Sequence, residues 1–374
     1  MDRRQFFSIT GGAAAGSALP AAEAAPKNTP DKLPPLKARL GHQFGALTEQ
    51  SAAWVARFGV DAICTRPVTA DPDRLYPTVD ELKVMLDIAD RHKVKVEIVD
   101  SVLLQSSDID KEKHAGIVLG LSPERDREIE AFQNHLRNCA ATGIRCIKYN
   151  MVSLTGVPRL EDVPGRGDTV YSRWNYKEAV AKNPPLTRAG IVNEDAFWER
   201  TNYFLERIVP VAAETRVRIA CHPEDPGMPP QGYRGISTPL GTFEGMKKFI
   251  ALHENPYHGL NFCQGTMSEN LNRPNDEIGD VIRYFGLAKK IFNVHFRNIR
   301  GHRDDFVAEM FPDEGDVDFV RALKVYREVG YEDLLMPDHA PKVVGAGADS
   351  GQRENFAFEF GYIRGLIQAE QHQT

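Results

Sequence analysis

The sequence predicts an α/β protein folded as a single large (β/α)8 TIM barrel with an insertion after its fourth strand, and three observations carry that prediction. Eight short β-like runs alternate with eight helical ones, which argues for parallel βαβ units, and that count closes a barrel. Four consecutive late runs end at or near His222, Cys263, His295 and Asp338, and barrels of this class assemble their sites at strand C-termini. Those residues stand 41, 32 and 43 positions apart, one βα unit each. A doubly wound open sheet would gather such residues near one switch point, so contributions from four successive strands favour a ring.

The chain begins with an address rather than with fold. Asp2-Arg3-Arg4-Gln5-Phe6-Phe7 is a twin-arginine pattern, the run from Ser8 to Leu19 is weakly apolar, and Ala22-Glu23-Ala24 offers a small-x-small cleavage site. We therefore expect residues 1–25 to be a signal peptide read by the twin-arginine export machinery, with a periplasmic mature protein. A disordered Ala-rich tail is the alternative. Residues 26–37 read as a Pro-rich linker and 38–374 as the barrel.

Within the barrel, strands are expected at 38–44, 61–66, 94–99 and 145–152, then at 216–221, 260–263, 291–298 and 332–336. The helices between them carry local signals. Thr78-Val79-Asp80-Glu81 is a capping box, in which hydroxyl and carboxylate satisfy reciprocal backbone donors. Ser122-Pro123 reads as an N-cap with proline in the first turn of a helix over 124–141, and Gly143 as its terminator. Further helices are expected at 48–58, 194–214, 242–253, 276–289, 316–329 and 354–371. Residues 153–193 are too polar and too rich in Gly and Pro for a core element, so they form the excursion over one face.

Composition excludes several function classes. The 374 residues carry a formal net charge of −6 with Lys and Arg dispersed, so no basic stripe points to nucleic acid. Beyond the leader, no run approaches the roughly 20 apolar residues of a membrane span. A small-molecule substrate is expected. Five cysteines are an odd number without ribbon or disulfide-framework spacing, so at least one stays unpaired or is used, and metal coordination would protect such a thiolate.

Two His, one Cys and one Asp make a donor set competent for a divalent transition metal. The bland alternative is that Cys263 packs as a small hydrophobe while strand-end His and Asp cap the next helix. Alternation along a strand sorts the neighbours: with His222 inside the barrel, Cys221 points out, and Arg297 shares a face with His295. That guanidinium suits a substrate carboxylate, though an ion pair with an acidic neighbour is an equal alternative. His339, beside Asp338, is a candidate general acid or base. His42 and Asn150, at the ends of strands one and four, are candidate substrate-binding residues on the same rim, whereas Glu224 and Asp225 read as loop residues.

His222-Pro223-Glu224-Asp225-Pro226, Gly259 through Thr266, Asn293-Val294-His295-Phe296-Arg297-Asn298 and Pro337-Asp338-His339 resemble, in order, the metal-site segments of the mannonate dehydratase family. Asp100-Ser101-Val102 and Gly143 through Met151 are similar to earlier segments of it. The resemblance implies a TIM barrel related to xylose isomerase-like enzymes and a divalent metal, commonly Mn2+, held by His222, Cys263, His295 and Asp338. It also implies His339 as a catalytic group, a homo-oligomer, and dehydration of D-mannonate, a sugar acid, to 2-keto-3-deoxy-D-gluconate. A Cys-containing site would by intrinsic affinity prefer Zn2+, and Fe2+ also lies within its range.

The chain departs from that pattern in places. Ala340-Pro341 stands where the family has Gly, and Ser350-Gly351-Gln352 occupies the place of a Pro-Gly-Tyr segment whose tyrosine is implicated in proton transfer. Tyr362, the next tyrosine, is expected inside the last helix. Val152 through Gly156 replaces an aromatic, Arg-containing run. Two further readings therefore stand beside the dehydratase: a metal-dependent sugar or sugar-acid isomerase or epimerase, and a periplasmic sugar-acid binding protein without chemistry.

Overall fold

The structure is a computed structural model in which residues 33–105, 108–151, 161–345 and 350–372 are described. The expected signal peptide and residues 152–156 lie outside them. Eight parallel strands make the barrel: β1 Arg39–Ala46, β2 Ala62–Arg66, β3 Lys95–Asp100, β4 Cys146–Asn150, β5 Arg218–His222, β6 His258–Cys263, β7 Ile291–His295 and β8 Leu334–Met336. They follow sequence order round the ring, and β1 pairs with both β2 and β8 to close it. The compact unit starts at Pro34, so the end of the expected linker packs on the barrel: Leu36 is buried, and the Pro34 carbonyl accepts from Arg327 Nε at 2.7 Å.

Covered on both faces, the parallel strands divide their side chains between two compartments. Residues pointing outward, such as Val99, Ile147, Cys221, Phe262 and Val294, join the large core beneath the helices. Those pointing inward at the strand starts, Ala62, Cys64, Ile98, Cys146, Ala220, Phe292, Leu334 and Met336, form a small apolar plug. Farther along the same inward faces the side chains turn polar, and there the site begins.

The helices open where the capping signals place them. Thr78 and Glu81 form the reciprocal box at the start of Val79–Arg91, and Gly143, at φ +80°, ends Glu124–Thr142. Pro123 rather than Ser122 holds the cap position of that helix; the Ser122 hydroxyl instead donates to Asp126 at 3.0 Å.

The excursion after β4 has more structure than its polar composition predicts. Thr169–Asn175 is the central strand of an antiparallel sheet, pairing with Glu161–Pro164, Asp305–Ala308 and Lys342–Val343. Its two faces bury Tyr171 on one side and Trp174 on the other, the latter in a satellite core with Met228, Tyr233, Ile299 and Phe306. Two of its partners follow β7 and β8, which makes the pairing non-local and invisible to local composition.

Candidate metal centre

The inward faces of β5 to β8 end in His222, Cys263, His295 and, just past β8, Asp338. Ladder register sets them side by side, with Cys263 opposite His295 and His295 opposite Met336, two residues before the aspartate. One ligand atom from each of the four residues lies within 4.8 Å of every other, and all four residues are buried. His222 Nδ1 donates to the Pro223 carbonyl at 2.7 Å, which fixes its tautomer and leaves Nε2 with a lone pair. His295 Nδ1 is buried, makes no hydrogen bond, and stands 3.2 Å from Asp338 Oδ1. The Cys263 sulfur receives Arg297 Nε at 3.2 Å, Thr266 Oγ1 at 3.1 Å and the Thr266 amide at 3.4 Å, a setting suited to a thiolate.

This donor set of two nitrogens, a sulfur and a carboxylate, with an orphaned imidazole nitrogen aimed among them, fits a divalent transition metal. Burial alone would push the Asp338 carboxyl up, but His295, His339 and Arg297 outweigh it and hold the group well below its usual range, ionised as a ligand must be. Asn261 stands 3.2 Å from His295 Nε2. Were Nδ1 to hold a metal, Nε2 would carry the proton and the Asn261 amide would present its oxygen there, a half-turn of a group that is nearly symmetric in shape.

Arg297 departs from the expected substrate role. It is 4 % exposed and surrounded: Nη1 meets Glu269 at 2.8 Å, Nη2 meets Asp225 at 2.7 Å, and Nε meets Asp338 at 3.1 Å. The ion-pair alternative describes it, since each of its three nitrogens already meets a carboxylate and the group is buried. Gly265 makes room for it, because a Cβ there would fall 2.4 Å from Arg297 Cγ. His42 is also corrected. Its neighbour Gln43 turns inward, so the His42 imidazole points out into a cage of Phe44, Trp54, Phe356 and Phe360, where burial lowers its pKa to about 3.

Asn150 does face the mouth, paired across the ladder with His222. His339 sits beside the cluster, Nδ1 3.0 Å from Glu309 and Nε2 3.8 Å from Asp338, with its side chain 38 % exposed. Burial opposes its charged form, but the two carboxylates prevail and raise its pKa to about 9. Glu224 is buried, its desolvation together with Asp225 lifts its pKa to about 8, and it lies outside the four-residue cluster. Gln352 lies in the first turn of the last helix, and Tyr362, farther along it, packs toward Phe319 and Phe358.

Several residues at this mouth went unnoticed in the sequence. Gln43 donates to Asp338 Oδ1 and accepts from Lys148 Nζ at 2.7 Å, and Lys148 also meets Asp100 at 2.9 Å. Lys148 lies two residues before Asn150, so strand alternation places it on the same face as that strand-end asparagine. Glu269 and Glu309 come from a short helix and a loop, where no periodicity marks them, and Asp225, read as a loop residue, joins them at the mouth.

Three kinds of comparison with known proteins bear on this site. A family model described as D-mannonate dehydratase (UxuA) matches residues 174–374, a span containing all four clustered residues and His339. Mannonate dehydratase from Thermotoga petrophila is 26 % identical over 324 residues, 78 % of this chain and 86 % of that protein. Mannonate dehydratase 1 from Halalkalibacterium halodurans is 28 % identical over 314 residues, 75 % of this chain and 81 % of that protein. Among solved structures, mannonate dehydratase from Streptococcus suis serotype 2 superposes with a TM-score of 0.74 at 19 % identity, covering 89 % of this chain and 95 % of its own. A D-psicose 3-epimerase from Clostridium cellulolyticum H10 shares the barrel at a TM-score of 0.52 and 12 % identity, over 89 % of this chain and 95 % of its own. The epimerase likeness speaks to the fold, whereas the family model spans more than half of the chain and the whole cluster, and on that ground the chain belongs to the mannonate dehydratase family of hydro-lyases.

Proposed function

We propose that the protein removes water from D-mannonate, giving 2-keto-3-deoxy-D-gluconate, at the cluster of His222, Cys263, His295 and Asp338. The observation that carries the proposal is that these four residues converge beside His339 within the span matched by the family model. His222, Cys263, His295 and Asp338 would hold a divalent ion, which would supply the Lewis acidity that lowers the cost of removing the C2 proton. The chain's own residues do the rest. His339, reached from the mouth and held by Glu309, exchanges a proton with the substrate. Arg297 offsets the charge of Asp225, Glu269 and Asp338, and with Thr266 it withdraws charge from the Cys263 sulfur. A sulfur so hydrogen-bonded is a harder donor, which supports Mn2+ over Zn2+ as the resident ion, with Fe2+ between them.

Incubating Mn2+-loaded protein with D-mannonate and measuring the 2-keto-3-deoxy product tests this reading. Exchange or inversion at C2 without that product would establish the isomerase instead, and tight binding without turnover a binding protein. The proposal extends to export of the folded, metal-loaded chain through the twin-arginine route to the periplasm. Intact residues 1–25 on cytosolic protein would remove it. A homo-oligomer is proposed on the resemblance and is read by light scattering.

A further inference from the structure

A sugar acid entering a barrel mouth must find partners for its carboxylate, because an unpaired anion taken from water costs several kcal/mol. Arg297 cannot serve, since its nitrogens are engaged by Asp225, Glu269, Asp338 and the Cys263 sulfur. The opposite arc of the ring is different. There Arg66 ends β2, Asp100 ends β3, and Lys148 lies on the inward face of β4, one inward position before Asn150, which pairs with His222.

Two cations on that arc share one carboxylate. Lys148 Nζ lies 2.9 Å from Asp100 Oδ1, and Arg66 Nε lies 3.9 Å from Asp100 Oδ2, beyond hydrogen-bond reach. The formal count leaves one positive charge. Arg66 is 49 % exposed at its side chain, so its guanidinium is open to the mouth. Lys148 uses two of its three donors, on Asp100 and on Gln43. Gln43 in turn donates to Asp338, so one amide separates the ammonium from the metal cluster. Gln43, Arg66, Asp100 and Lys148 precede the span that the family model matches.

We propose that Arg66 and Lys148 bind the carboxylate of the acid substrate, Arg66 through its planar fork and Lys148 as a fixed point charge, with Asp100 and Gln43 positioning the lysine. The inference rests on the sugar-acid reading of the cluster and names how the acid end is selected. Polyols and aldoses of equal length, lacking the carboxylate, gain nothing from this pole.

The test uses the Mn2+-loaded full chain and R66Q, chosen because Arg66 is exposed and its loss leaves Asp100 still paired with Lys148. Affinity for the product acid is measured by calorimetry, metal content by elemental analysis, and turnover of D-mannonate in parallel. R66Q should bind the product acid about 10- to 100-fold more weakly at equal metal content, with R66K recovering part of the loss. Unchanged affinity in R66Q would overturn the proposal, as would a wild type that binds no acid. Should the wild type bind the acid but form no product, a loss in R66Q upholds this pole while the dehydratase reading falls. Turnover that R66Q leaves untouched, in KM and affinity alike, does the reverse.

Discussion

Replacing Arg297 by Gln tests whether this guanidinium is a structural counter-charge. The side chain is 4 % exposed and faces Glu269 at 1 % and Asp338 at 3 %, with Asp225 at its outer edge. Removing one partner of a buried ion pair leaves an uncompensated charge and typically costs about 3–5 kcal/mol. For a chain of this size that corresponds to roughly 6–10 °C in the unfolding midpoint, at about 2 °C per kcal/mol. The assay is thermal unfolding of the metal-free R297Q protein against wild type across pH. The loss should be largest near neutrality and shrink as pH falls, because protonating Glu269 removes the orphaned charge. A variant with wild-type stability and metal content but a KM raised about tenfold or more would refute this reasoning and restore Arg297 as a substrate-binding group.

Three further outcomes are expected. Cys263→Ser should lose metal, with occupancy by elemental analysis falling well below wild type; full occupancy would show that the sulfur is not a ligand. Asn261→Ala should lower metal affinity about 10-fold or more in a competition titration, because His295 loses the partner that holds its Nε2 proton. Acid sensitivity follows from the buried imidazoles: burial lowers His135 to about 3. A folded-state pKa below the unfolded one means that stability is present above about 6.5 and is lost as pH falls toward 3, at about 1.4 kcal/mol per unit. His135→Leu should flatten that part of the urea-stability profile, and an unchanged slope would exclude the group as its source.

The barrel was legible because each βα unit carries its own period, cap and terminator. The capping box at Thr78 and Glu81 and the left-handed Gly143 are local signals, and they stand where expected. The four clustered residues were legible for a related reason: strand ends recur at the spacing of the repeat. What stayed hidden depends on partners distant in sequence. Arg297 was placed on the correct face, but the acids that claim it come from residues 225 and 269. His42 misled because a strand end shows a rim position without its direction, and one residue's shift exchanges the site for the helix layer. The strand Thr169–Asn175 escaped local reading because two of its three partners lie more than 120 residues downstream.

That strand has a consequence for how the site is governed. Asp305–Ala308 leads directly into Glu309, Lys342–Val343 follows shortly after His339, and Ser172 of the central strand donates to Glu309 at 2.7 Å. The four clustered residues are set in the barrel wall, whereas Glu309 and the segment after His339 run into a separate antiparallel sheet. Substitutions along that sheet are expected to shift Glu309, and with it the imidazole it meets, more than the four clustered residues.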